Sequence, residues 1–111
     1  MIKIALFCAT GMSTSLMVSK MRQAAQSQGV ETDISAHAED ELGELVQELH
    51  VVLLGPQVGY RLDQCKKICD VHDVPIAVIS SMDYGMMRGD KVFNLALALH
   101  KEREASRKNG A

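Results

Sequence analysis

Hydrophobic and polar positions along this chain switch repeatedly between a short apolar run and a helical spacing, and the switches mark out its elements. Residues 2–7, IKIALF, form a compact apolar run rich in branched side chains, and the CATGMSTS that comes next turns abruptly to small and hydroxyl residues. This predicts a buried strand ending in a loop, with Cys8 the first residue past the strand. From Ser15 the apolar positions Met17, Met21, Ala24 and Ala25 recur at helical spacing, Lys20, Arg22, Gln23 and Gln26 face elsewhere, and Gly29 supplies the stop. A helix of about 14 residues fits that pattern. Val30 to Ala36 alternates as a half-exposed edge strand does, and 39–48 places Leu42, Leu45, Val46 and Leu49 on one helical face. HVVLLG, ending at Gly55-Pro56, is the clearest buried strand. Residues 58–72 read as a third helix, 74–79 (VPIAVI) as a fourth strand, and Lys91 to about Arg107 as a last helix.

Strands alternating with helices predict an α/β domain of three layers, an open four-stranded parallel sheet with helices on both faces. The purest apolar runs after the first lie at 51–54 and 76–79, while the polar alternation of 30–36 suits an edge, so the expected strand order is 2-1-3-4. That order puts the first strand at the topological switch point, where open parallel sheets bind ligands beyond the carboxyl ends of their strands.

A chain of 111 residues supports one ordinary core. A single domain over residues 1–106 is expected, with 107–111 a frayed tail. A net charge of −2 with scattered Lys and Arg gives no basic footprint, so nucleic acid is not an expected partner. Neither a signal peptide nor the roughly 20 apolar residues of a membrane span is present, which points to the cytosol. Three cysteines in a reducing compartment read as thiols.

The segment Cys8-Ala9-Thr10-Gly11-Met12-Ser13-Thr14-Ser15 joins a strand to a helix with Met12 its only bulky side chain, so successive backbone N–H groups can curl around one anion. Gly11 can adopt angles closed to other residues, and Ser13, Thr14 and Ser15 can cap the helix or donate to phosphate oxygens. A thiol at the mouth of this phosphate loop sits in the field of a helix N-terminus, which favours the thiolate that attacks phosphorus. The bland alternative is a strand-end cysteine beside an ordinary capping turn. Cysteine-dependent phosphatases place an arginine where this chain has Thr14. Without a fixed guanidinium to drive hydrolysis, a phosphate carrier on Cys8 is the better reading.

Three blocks, LFCATGMSTSLMVSKM near the start, VVLLGPQVGY at 51–60 and the later MDYGMMRGDKV, resemble in order and separation the lactose and cellobiose (chitobiose) type IIB components of the bacterial phosphoenolpyruvate-dependent sugar phosphotransferase system. The resemblance covers essentially the whole chain. It implies that Cys8 is the catalytic residue, receiving a phosphoryl group from a phosphohistidine of the IIA component. Cys8 would deliver it to a sugar of β-glucoside, cellobiose, chitobiose or lactose type in the membrane permease IIC. Ala9, Thr10, Gly11, Met12, Ser13, Thr14 and Ser15 would form the phosphate-binding loop. Gln57, Tyr60 and Tyr84 would fall on loops flanking the same edge, as candidates for the partner surface. No metal or other cofactor is implied. The protein would be a cytoplasmic phosphotransferase, a monomer by itself, meeting the inner face of the membrane through IIC.

Other residues have plainer readings. Arg61 could reach the phosphorylated loop or a partner's acidic patch, or be a solvated helix residue. Cys65, Cys69 and His72 share helical spacing that suggests a metal site, yet packing cysteines are the expectation, because zinc sites want four ligands on splayed turns. No histidine adjoins Cys8 in sequence; His37 alone is expected near the active edge. Met12, Met86 and Met87 lie in loops, where adaptable sulfur side chains suit a surface with more than one partner. Lys101 to Lys108 reads as a solvated mixed-charge face. Two rival classes stay open: a phosphatase or arsenate reductase-like enzyme, for which the second thiol would have to come from another helix, and a plain binding module for a phosphorylated ligand.

Overall fold

The computed structural model describes residues 1–9 and 12–110, with side chains at all of these but 12–14 and 108–110. The apolar run at the start becomes β1 (Ile2–Cys8), followed by α1 (Met12–Ser27) and β2 (Thr32–Ala38). A tightened segment comes next: a 3₁₀ turn (Glu39–Glu41), the single-turn helix α2 (Leu42–Leu45) and a second 3₁₀ turn (Val46–Glu48). Then come β3 (Val51–Leu54), a 3₁₀ stretch (Pro56–Arg61), α3 (Leu62–Val71), β4 (Ile76–Val78), the short α4 (Ser81–Gly85) and α5 (Gly89–Gly110).

β1 pairs in parallel with β2, from Ile2 opposite Thr32 to Cys8 opposite Ala38, and with β3, from Ile4 opposite Val51 to Phe7 opposite Leu54. β4 adds to the outer side of β3. The sheet therefore has the expected order, β2-β1-β3-β4, all parallel. Because successive side chains of a strand point to opposite faces, β1 feeds two cores. Ile4, Leu6 and Cys8 pack with Met17 and Met21 of α1 and with Val92, Phe93 and Ala96 of α5. Ala5 and Phe7 pack on the other face with Leu42 and Val46 and with Cys65 and Cys69 of α3. β1 is apolar on both sides for this reason, whereas in β2 Ile34 alone is buried, as an edge strand covered on one face requires.

Several boundaries differ from the expectations. β1 includes Cys8, since that residue still pairs with Ala38. The helix expected over 39–48 is broken into tight turns. Its start is held by the Glu41 carboxylate accepting the Ala38 amide at 3.2 Å, and Gly43 weakens the helical turn that contains it. The helix expected from 58 begins with a 3₁₀ stretch at Pro56, whose missing N–H suits a helix start. α1 ends where predicted: Gly29 takes φ +68°, and the Val30 amide reaches back to the Ala25 carbonyl at 3.0 Å, closing the helix end. α4 was not predicted, because a helix of five residues has no periodicity to read.

Candidate functional site at the carboxyl end of the sheet

The order β2-β1-β3-β4 reverses direction at β1, and Cys8 closes that strand. Its side chain follows Ile4 and Leu6 onto the face covered by α1 and α5 and is 3% exposed. Sγ lies 3.8 Å from the hydroxyl oxygen of Tyr84, a contact in which either atom can donate. On the β3 side, Gly55 lies against the sulfur: a β-carbon there would collide with Cys8 Sγ and lie 2.8 Å from Gln57 Oε1. The Gly55 amide donates to the Phe7 carbonyl at 3.0 Å, which carries the β1–β3 ladder to the site. A thiol and a phenol thus meet at the end of the central strand, with the Gln57 side-chain oxygen also close to Gly55.

Of the loop expected to bind phosphate, Ala9 is exposed at a bend and Ser15 lies exposed in the first turn of α1. Thr10 and Gly11 lie outside the described residues, as do the side chains of Met12, Ser13 and Thr14. The N-terminal end of α1 opens at Met12, shortly after Cys8 along the chain.

Gln57 and Tyr60 lie exposed on the segment after β3, Tyr60 by 80%. Tyr84 does not sit on a surface loop as expected. It belongs to α4, is 6% exposed, and packs in the α1/α5 core with its hydroxyl toward Cys8. The reason is positional: α4 follows β4 at the same sheet edge, and the Ser80 hydroxyl accepts the Asp83 amide at 3.1 Å, starting a turn that rolls Tyr84 inward. The sequence signal was an aromatic residue in a block otherwise suited to a loop. Leu16, Met82 and Met86 are exposed apolar residues near this edge, whereas Met87, with φ +51°, packs against the core.

The remaining candidates lie away from the sulfur. His37 pairs with Phe7 across the β1–β2 ladder, so its ring lies on the face opposite Cys8, 5.6 Å from the Phe7 ring, with Nε2 2.9 Å from Ser35 Oγ. Arg61 extends neither to solvent alone nor toward Cys8: it donates to Glu39 Oε1 at 3.1 Å, tying the segment after β3 to the segment after β2. Cys65 and Cys69 point into the second core, while His72 is exposed, so the three do not converge. Burial pushes both thiols up, with a contribution from Cys65 and Asp70 at Cys69, which reaches about 12.

The fold and the placement of Cys8 define a class: a small open parallel α/β domain with a thiol at the carboxyl end of its switch-point strand. A family model described as the PTS system, lactose/cellobiose specific IIB subunit, matches residues 3–95, and the chain belongs to that family. It is 41% identical over 97 residues to the PTS system oligo-beta-mannoside-specific EIIB component of Bacillus subtilis (strain 168), covering 87% of this chain and 94% of that protein. It is 44% identical over 98 residues to the cellobiose-specific EIIB component of Lactococcus lactis subsp. lactis (strain IL1403), covering 84% and 91%. Among solved structures, the cellobiose-specific phosphotransferase IIB component from Borrelia burgdorferi superposes with a TM-score of 0.77 at 36% identity, covering 92% of this chain and 94% of that one. The lactose-specific IIB domain from Streptococcus pneumoniae superposes at 0.81 with 16% identity, over 89% and 97%, a likeness of fold. Such components are phosphotransferases that work with IIA and IIC partners. Among the described residues no helix is long and apolar enough to cross a membrane.

Proposed function

We propose that this chain carries a phosphoryl group on Cys8, taken from a phosphohistidine of a IIA component and passed to a sugar held by a membrane-embedded IIC. The supporting observation is the position of Cys8 at the carboxyl end of the switch-point strand, next to the N-terminal end of α1. In the first step the thiolate attacks phosphorus in line; the S–P bond forms as the P–N bond breaks, and its electron pair returns to the imidazole. In the second a sugar hydroxyl attacks, the O–P bond forms, the S–P bond breaks toward sulfur, and the hydroxyl proton passes to a base at the sugar site.

The chain's own contribution is position and neutral hydrogen-bond donors. Backbone amides of residues 9–15, with the hydroxyls of Thr10, Ser13, Thr14 and Ser15, would hold the phosphate, and no arginine stands at position 14 to speed hydrolysis. Cys65 and Cys69 lie on the opposite sheet face from Cys8, which argues against a redox module. The sugar would be of the β-glucoside, cellobiose, chitobiose or lactose type, in keeping with the name of the cellobiose-specific relative, while the oligo-beta-mannoside-specific relative points to a further β-linked sugar. The protein would work in the cytoplasm as a monomer and meet the inner membrane face through IIC; exposed Gln57 and Tyr60 would meet partners.

Intact-mass spectrometry at mildly alkaline pH tests this, after incubation with phosphoenolpyruvate, the general phosphotransfer proteins and a cognate IIA. One phosphate on the wild type, absent from Cys8→Ser and mapped to Cys8, is the expected result. Folded wild type that stays unmodified beside a charged IIA overturns it.

A further inference from the structure

Among the described residues Tyr84 is a buried polar side chain that meets the sulfur, and its backbone is held on both sides. Its own amide donates to the Ser80 carbonyl at 3.0 Å, and its carbonyl accepts the Met87 amide at 3.1 Å. The Arg88 amide donates to the Asp83 carbonyl at 2.9 Å, with the Arg88 guanidinium 3.5 Å from the Asp83 carboxylate. This frame sinks the ring into the core with its hydroxyl oxygen 3.8 Å from Cys8 Sγ. With the sulfur as a thiolate, the phenol is the donor of that pair, and a hydrogen bond to a charged acceptor is stronger than one to a neutral acceptor. Once sulfur is bonded to phosphorus its charge is gone and the bond weakens.

We propose that Tyr84 is a catalytic residue of the phosphoryl transfer: its hydroxyl donates to Cys8 Sγ and stabilises the negative charge that returns to sulfur as the S–P bond breaks. The proton stays on the Tyr84 oxygen throughout, so the step adds no reactant. The inference rests on the reading of Cys8 as the phosphate carrier. It has a directional signature. The hydrogen bond stabilises the free thiolate most, the loose transition state, in which the S–P bond is largely broken, nearly as much, and the phosphocysteine least, so its loss slows discharge and leaves charging nearly unchanged.

The test is single-turnover transfer between full-length protein and a soluble IIA, in both directions, for wild type and Tyr84→Phe. Discharge of phosphocysteine to unphosphorylated IIA is expected to slow about tenfold in the variant, the size of a charge-assisted hydrogen bond, and charging to change by less than about threefold. The phosphate at equilibrium then shifts from IIA toward Cys8. Equal discharge rates and an equal partition in the two proteins overturn the role of Tyr84, and so does an equal slowing in both directions. Wild type that accepts no phosphate overturns the carrier reading itself, a different outcome. Should Tyr84→Phe fail to fold, 3-fluorotyrosine incorporated in a Tyr60→Phe background makes a stronger donor with the ring in place. Faster discharge supports the proposal and an unchanged rate overturns it.

Discussion

Gly55 and the Cys8 sulfur share a space that admits one of them and a hydrogen, but not a methyl group: a β-carbon at position 55 would overlap Sγ. Gly55→Ala is therefore expected to cost about 2 kcal/mol of stability, as overpacking of a close-packed site does. In a Cys8→Ala background the same change should cost at least about 1 kcal/mol less, because the colliding sulfur is gone. Urea unfolding of the four proteins of this cycle measures the coupling, and additive costs would contradict the contact.

Gly89 opens α5 against the backbone of Lys20 in α1, where an added β-carbon would lie 2.6 Å from the Lys20 carbonyl carbon and 2.9 Å from its oxygen. Backbone cannot rotate away, so Gly89→Ala should force α1 and α5 apart and destabilise by about 2 kcal/mol despite alanine's better helix propensity. Gly85→Ala, with nothing within 4 Å of its β-carbon, is the control and should be close to neutral. Thermal midpoints of both variants decide the point.

Glu39 and Arg61 form a half-buried pair, the carboxylate more covered than the guanidinium. Glu39 Oε1 takes the Arg61 guanidinium at 3.1 Å, while Glu39 Oε2 and Arg61 Nε are buried without hydrogen-bond partners among the described residues. Arg61→Ala strands a mostly buried carboxylate and should lower stability by about 2 kcal/mol, discounted for the partly exposed arginine. Adding Glu39→Gln removes the stranded charge and should recover at least half of the loss in urea unfolding.

His50 titrates against the folded state. Burial, and then His100, Arg103 and the N-terminal amino group, hold it below its ordinary 6.5, with Glu104 opposing. The unfolded chain takes up this proton near pH 6.5 while the folded one does not, so stability is lost as pH falls below that value. The ring's Nδ1 accepts the Lys3 amide at 2.8 Å. His50→Asn offers an oxygen in its place and should flatten the pH dependence of the urea midpoint between about pH 7 and 5. An unchanged slope would assign the loss to other groups.

Much of this molecule is legible in its sequence, for reasons that are local. IKIALF must be covered on both faces because its apolar residues fall on both sides of the strand, and that places β1 at the centre of the sheet; the polar alternation before Ala36 places β2 at its edge. Small and hydroxyl residues right after an apolar strand single out Cys8 and the segment after it, since the pattern lies in consecutive residues. Other features rest on residues far apart in the chain. Tyr84 reads as a surface residue until α4 turns it onto a sulfur 76 positions away. Arg61 reads as a solvated or partner-facing cation until the segments after β2 and β3 bring Glu39 to it. The bare backbone of Gly55 has meaning only against the Cys8 side chain, which the β1–β3 pairing sets beside it. Periodicity is a property of neighbours along the chain, and it orders the strands. Which side chains then meet at the end of β1 depends on register and helix roll, and those are settled only when both cores pack at once.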